Sequence, residues 1–120
     1  MKYHESEEMY LETILLLTER QSDVRSIDVA TELNYSRASV SRAVGLLQKK
    51  AYIIIDNGYI KFTDTGLQKA KDIFERHEII TDLLKKIGVS SELAEENACR
   101  IEHVISPELL EYFKEFLNKI

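Results

Sequence analysis

The chain has 120 residues, with 16 basic and 21 acidic side chains, a formal charge of −5 and a single cysteine. One cysteine excludes an internal disulfide, no apolar run approaches the roughly 18 residues of a membrane helix, and the size suits one compact domain or two small helical units sharing a core. The opening Met1-Lys2-Tyr3-His4-Glu5 runs into acids rather than into the apolar core of a signal peptide, so a soluble chain in the reducing cytoplasm is expected.

Apolar residues at helical spacing, among them Tyr10, Ile14 and Leu17, predict a first helix over about residues 5 to 20. Ser26 is the N-cap candidate of a short helix with Ile27, Val29, Ala30 and Leu33 on one stripe, stopped at Asn34. Ser36 then precedes a helix through Lys50 with Val40, Val44 and Leu47 on one face. Two short helices joined by Asn34-Tyr35-Ser36 have the dimensions of a helix-turn-helix. Tyr52–Ile55 and Tyr59–Thr63, joined through Asp56-Asn57-Gly58, read as a two-stranded wing. A long helix is expected near 65 to 86 with Gly88 as its C-cap. A further helix, capped by Ser90 or Ser91, runs through Val104, and a last one opens at Pro107. The expectation is a mainly α fold: a winged helix-turn-helix domain over 1–70 and an α-helical metal-binding and dimerisation domain over 71–120.

In a winged helix-turn-helix the second helix enters the major groove and the wing touches the flanking backbone. Ser36, Ser39 and Ser41 are short hydrogen-bonding groups there, and Arg37 and Arg42 can reach phosphates or a guanine edge. Lys49 and Lys50 lie at the far end, and Lys61 sits on the wing. Between Ser36 and Lys50 there is no acid, whereas the first twelve residues hold Glu5, Glu7, Glu8 and Glu12. Taken singly, each of these serines and arginines could do no more than cap or solvate a surface helix.

A second constellation points to a metal. A helix over Cys99-Arg-Ile-Glu102-His103 would set a thiol, a carboxylate and an imidazole at i, i+3 and i+4 on one face. His77, the pair Met9 and Glu12 one turn apart, and Glu95 add an imidazole, a thioether and two carboxylates. A mixed set of soft, intermediate and hard donors suits a borderline transition metal better than calcium or magnesium. Iron(II) and manganese(II) lead, and cobalt, nickel, zinc or cadmium are expected to bind in vitro. Each donor has a plainer reading: Met9 and Cys99 as core, His77 and Glu102-His103 as solvated helix surface. His4 is given no role. Two bound divalent ions would bring the formal charge of −5 to about −1, or about −2 if Cys99 loses its proton on ligation, and ease repulsion from DNA.

The order of elements resembles the DtxR/MntR family of metal-dependent repressors across essentially the whole chain. The resemblance is carried by Glu8-Met-Tyr-Leu-Glu-Thr-Ile14, the helix-turn-helix through Leu47, Lys61-Phe-Thr-Asp-Thr-Gly66, Arg76-His77-Glu78 and Cys99-Arg-Ile-Glu-His-Val-Ile-Ser106. It implies that Met9, Cys99, Glu102 and His103 form the primary metal site, with His77 in a neighbouring one. Glu12, His77 and Glu102, with Glu95, are the set expected for that second site. Met9 and Cys99 look like the iron-responsive branch and Glu12 like the manganese branch. Thr81 and Glu95 stand where the iron branch has a Glu and a His. A chain ending at Ile120 is expected to lack the SH3-like third domain, as in the shorter manganese regulators.

The resemblance implies a dimer that represses metal-uptake genes by binding a palindromic operator in double-stranded DNA when loaded with iron(II) or manganese(II), with no membrane or organic ligand involved. Apolar Leu109, Leu110, Tyr112, Phe113, Phe116 and Leu117 support dimerisation. The alternative is a winged-helix regulator of another class, answering to an organic effector or to redox change at Cys99. A metalloenzyme or metal store is disfavoured, because no nucleophile–base pair or extended active-site loop is visible.

Overall fold

The computed structural model describes residues 7–120; the predicted start of the first helix at residue 5, and His4, lie outside them. Among the described residues there are six helices and one two-stranded sheet, and no helix is long and apolar enough to cross a membrane. The chain divides into two compact units, the first ending at Lys71 and the second running Asp72–Ile120.

In the first unit α1 (Glu7–Arg20) buries Tyr10, Leu11, Ile14 and Leu17. The helices α2 (Ser26–Leu33) and α3 (Arg37–Lys49) supply Val29, Ala30, Val40, Val44 and Leu47 to the core. Ser26 proves to be the first helical residue rather than the cap. Arg25 is the N-cap of α2, its backbone N–H donating to Asp28 Oδ2 at 2.8 Å, so the carboxylate three residues on does the capping that the serine was expected to do.

Two helices of this unit end in one device. After α2, Asn34 takes a left-handed φ of 57°, its N–H donating to Thr31 O while the N–H of Tyr35 donates to Ala30 O at 3.1 Å. After α3, Ala51 does the same at φ 62°, with Ala51 N–H to Gln48 O at 2.9 Å and Tyr52 N–H to Leu47 O at 3.0 Å. This is the Schellman closure, which satisfies carbonyls the helix leaves open. Ser36 caps α3, its Oγ accepting from Ser39 N at 3.1 Å.

The wing follows at once, one residue later than expected in its first strand: β1 (Ile53–Asp56) pairs antiparallel with β2 (Tyr59–Phe62), Ile53 opposite Phe62 and Ile55 opposite Ile60. Asn57 and Gly58, at φ 52° and 84°, form the two-residue turn that suits the strand twist. The wing is tied down by Ile60 N–H to Val24 O at 2.7 Å and by Thr63. The Thr63 N–H and hydroxyl both reach Tyr52 O at 3.1 Å, while the Oγ accepts from Gly66 N at 3.0 Å and so caps α4 (Asp64–Lys86).

In the second unit α4 closes through Gly88, φ 103°, with Val89 N–H to Leu84 O at 3.0 Å. Ser90 caps α5 (Ser91–Ile101) and Ser106 caps α6 (Pro107–Lys119). Ile80, Ala98 and Leu110 form the core, with Ile79, Leu84, Ile101, Ile105 and Phe113 around it. Helix α5 stops at Ile101, short of the expected Val104: the Val104 and Ile105 N–H groups both turn back to Ile101 O.

Two substitutions test this account. A Cβ on Gly66 would lie 1.8 Å from the Tyr52 carbonyl oxygen, so Gly66→Ala is expected to cost about 3 kcal/mol in urea unfolding, at the upper end for overpacking. Ala51 holds a conformation that costs a side chain roughly 1 kcal/mol, so Ala51→Gly is expected to raise the unfolding midpoint with an unchanged slope.

Candidate metal centre and nucleic-acid interface

Glu102 is the C-cap residue of α5, still right-handed (φ −58°, ψ −25°), and its side chain is 0 % exposed. Its Oε1 lies 3.2 Å from His77 Nδ1 and 3.8 Å from His103 Nε2; its Oε2 has no hydrogen-bond partner among the described residues. His77 is shared: its Nε2 is 2.6 Å from Glu95 Oε2, an exposed carboxylate on α5. Ionised carboxylates only accept, so an imidazole facing one with each nitrogen needs a proton on both, or a cation in place of one.

The backbone brings these groups together for identifiable reasons. His77 projects from α4, and Arg76 beside it sends Nη1 to the Glu102 carbonyl at 2.7 Å, capping the end of α5 from another helix. That bond fixes the turn carrying Glu102 and His103 against the helix carrying His77. Cys99 Sγ and a Glu102 carboxylate oxygen lie within 4.8 Å of one another. Cys99 and Glu102 stay one helical turn apart, Cys99 exposed and Glu102 buried at the helix end with its N–H still donating to Ala98 O, while His103, 5 % exposed at its side chain, stands in the turn just beyond. One turn along α4 from His77, Thr81 is buried and its Oγ1 lacks a hydrogen-bond partner among the described residues.

Met9 and Glu12 lie one turn apart on α1 at 6 % and 8 % exposure, so a carboxylate stands among the buried groups of this helix. A buried carboxylate oxygen without a donor, with two imidazoles and a thiol within reach, is a set that a divalent cation fits: every lone pair left over is an acceptor. Sequence reasoning used Arg76 only as part of the family resemblance and gave it no role in the site. Its place directly before a ligand candidate was the available signal.

On the first unit, Arg37, Ser41, Arg42 and Lys49 are exposed along α3, and Ser36 and Ser39 occupy its capped start, the Ser39 Oγ accepting from Arg42 Nη2 at 3.4 Å. Lys50 is engaged: its ammonium is 2.8 Å from Glu7 Oε2, and that hydrogen bond, then the charge, raises it above the usual lysine range. Lys61, exposed on the outer face of β2, stands 3.9 Å from Asp56. Arg25 also proves to be a link, donating to Tyr59 OH at 3.0 Å and lying over the ring, so that it joins the start of α2 to the wing.

These features define a winged helix-turn-helix unit followed by a helical unit with a cluster of donor side chains that a metal ion fits. Residues 2–59 match the N-terminal DNA-binding domain of the iron-dependent repressors, and residues 63–120 match their metal-binding and dimerisation domain. The chain belongs to the iron-dependent repressor family and is a metal-dependent transcriptional regulator. It is 31 % identical over 118 residues to an uncharacterized HTH-type transcriptional regulator of Methanocaldococcus jannaschii, covering 96 % of this chain and 94 % of that one. It is 32 % identical over 124 residues to the HTH-type transcriptional regulator MntR of Shouchella clausii, covering 96 % and 86 %. The structure of the manganese regulator SloR superposes with a TM-score of 0.81 at 25 % identity over 94 % of this chain; the chain spans only 54 % of SloR's length. Membership sets aside the reading as a regulator of another class.

Because Arg76 holds the Glu102 turn in place, Arg76→Ala is expected to weaken manganese(II) binding about 10- to 100-fold in equilibrium dialysis while the helical circular dichroism is retained.

Proposed function

We propose that this regulator represses metal-uptake genes by binding a palindromic operator as a homodimer when loaded with manganese(II) or iron(II). The observation that carries this reading is the fully buried Glu102 carboxylate with an unpartnered oxygen beside His77 and His103. We assign Met9, Cys99, Glu102 and His103 to the primary site and Glu12, His77, Glu95 and Glu102 to a second. The bound ion supplies positive charge and directional coordination. The thioether and thiol of the first set lean toward iron, and the nitrogen and oxygen donors of the second accept manganese.

The donors are divided between the segments matched by the two family models, so an ion that takes both sets limits the freedom of one segment with respect to the other. Where only a minority of metal-free dimers hold both α3 helices at one-turn spacing, apparent affinity falls by that fraction and metal restores it. Coupling of about 1 to 3 kcal/mol would give roughly 5- to 150-fold regulation. On α3, Arg37, Ser41, Arg42 and Lys49 meet DNA, with Ser36 and Ser39 at the phosphate-facing helix start and Lys50 and Lys61 at the flanks. Leu109, Tyr112 and Phe116, exposed on one face of α6, suit the dimer contact. The site of action is the cytoplasm, where the operator and the metal pool meet.

Glu102→Gln keeps the volume and removes the charge. It is expected to abolish metal-stimulated binding to a duplex enriched from a random pool by the manganese-loaded parent, with thermal unfolding still cooperative. A variant as metal-responsive as the parent would remove Glu102 from the centre. Anaerobic dialysis against each metal counts the sites: two ions per chain are expected, and one would confine sensing to the primary set.

A further inference from the structure

Four glycines are present, and Gly45 is one that the fold does not need. Gly66 meets the Tyr52 backbone, and Gly58 and Gly88 sit at positive φ in turns. Gly45 lies in the interior of α3 without positive φ, is exposed, and a Cβ built on it would meet no atom within 4 Å. In a helix interior glycine is the least favourable residue apart from proline, because it gives up most backbone freedom and buries nothing. A position that weakens the helix and relieves no contact within the chain points outward. There, Arg42, Gly45, Leu46, Gln48 and Lys49 line a shallow depression on the face opposite the buried Val40, Val44 and Leu47.

We infer that Gly45 is the point at which α3 makes its closest approach to DNA, the missing side chain letting the helix backbone settle against the groove between the cations Arg42 and Lys49. The occupant is double-stranded DNA. The charges flanking the depression are both positive on a chain of net charge −5, and Arg42 and Lys49 make no ion pair among the described residues. A methyl group at Gly45 would hold the helix away from the base edges that its neighbours read, and base contacts weaken steeply with distance. Gly45 is therefore a specificity-determining position that contributes by absence. This rests on the reading of α3 as the groove-facing helix.

The test compares Gly45→Ala, Gly45→Gln and Arg42→Ala in the full manganese-loaded chain, using a duplex enriched by the parent and measuring thermal midpoints alongside. Gly45→Ala is expected to raise the midpoint by about 4 °C and to weaken binding at least about tenfold, Gly45→Gln to weaken it further, and Arg42→Ala to weaken it without the gain in stability. Binding by Gly45→Ala within twofold of the parent, while Arg42→Ala loses affinity, would overturn the inference and leave the α3 reading standing. Unchanged binding by all three would remove α3 from the interface and the inference with it. A fall in the Gly45→Ala midpoint would show that the fold does require glycine there, and would also overturn it.

Discussion

The helical unit is organised around one unfavourable act, the burial of the Glu102 carboxylate. Taking a carboxylate out of water costs several kcal/mol unless charge and hydrogen bonds replace the hydration. Here the replacement is incomplete: His77 and His103 approach Oε1, while Oε2 has no donor among the described residues. A residue needed only for packing would be apolar, as Ile80, Ala98 and Leu110 are in the core of this unit. A cation at Oε2 would remove that penalty, so under the proposed assignment ligation and stability are coupled in this unit. Arg76 extends that logic to the backbone by holding the Glu102 carbonyl while the neighbouring imidazole faces the carboxylate.

The DNA-binding unit is built differently, from terminations. Schellman closures end α2 and α3 within one or two residues of the next element, so neither connection has slack. Thr63 and Gly66 do the same for the passage from wing to α4, where the helix packs so near Tyr52 that no side chain fits. A recognition helix fixed at both ends presents its exposed residues in a set relation to the wing, and rigidity in the reader is what lets sequence differences in DNA register as energy.

Much of this was legible in the sequence because the signals were local and redundant. Apolar periodicity, Asn57-Gly58, Ser36 and Pro107 each placed an element, and the order of helix, turn, helix and hairpin left little choice of architecture. What could not be read depended on atoms from elsewhere in the chain. The cap of α2 went to Arg25 because Asp28 answers its N–H, although a serine stood next door. The end of α5 moved to Ile101 because the following turn closes on that carbonyl, which leaves His103 in a turn and Glu102 as the cap, a difference of exposure among Cys99, Glu102 and His103 that spacing alone does not encode. The grouping of His77 with Glu95 and Glu102 was expected only through the family resemblance, because it depends on the packing of α4 on α5, which no spacing within one helix encodes.

Charge joins the two units' chemistry. A chain of net charge −5 must approach a polyanion, and its cations are not equivalent. Lys50 already faces Glu7, and Lys61 has Asp56 close by, so handing either to a phosphate exchanges one anion for another and returns little. Arg37, Arg42 and Lys49 carry no such partner among the described residues, so their full charge is available, that of Arg37 at the start of α3 and those of Arg42 and Lys49 together on one face. The acids that oppose binding include the carboxylates best suited to hold metal. Under the proposed assignment, coordination of Glu12, Glu95 and Glu102 would neutralise part of that charge and lower the repulsion from DNA in the same event that orders the ligands.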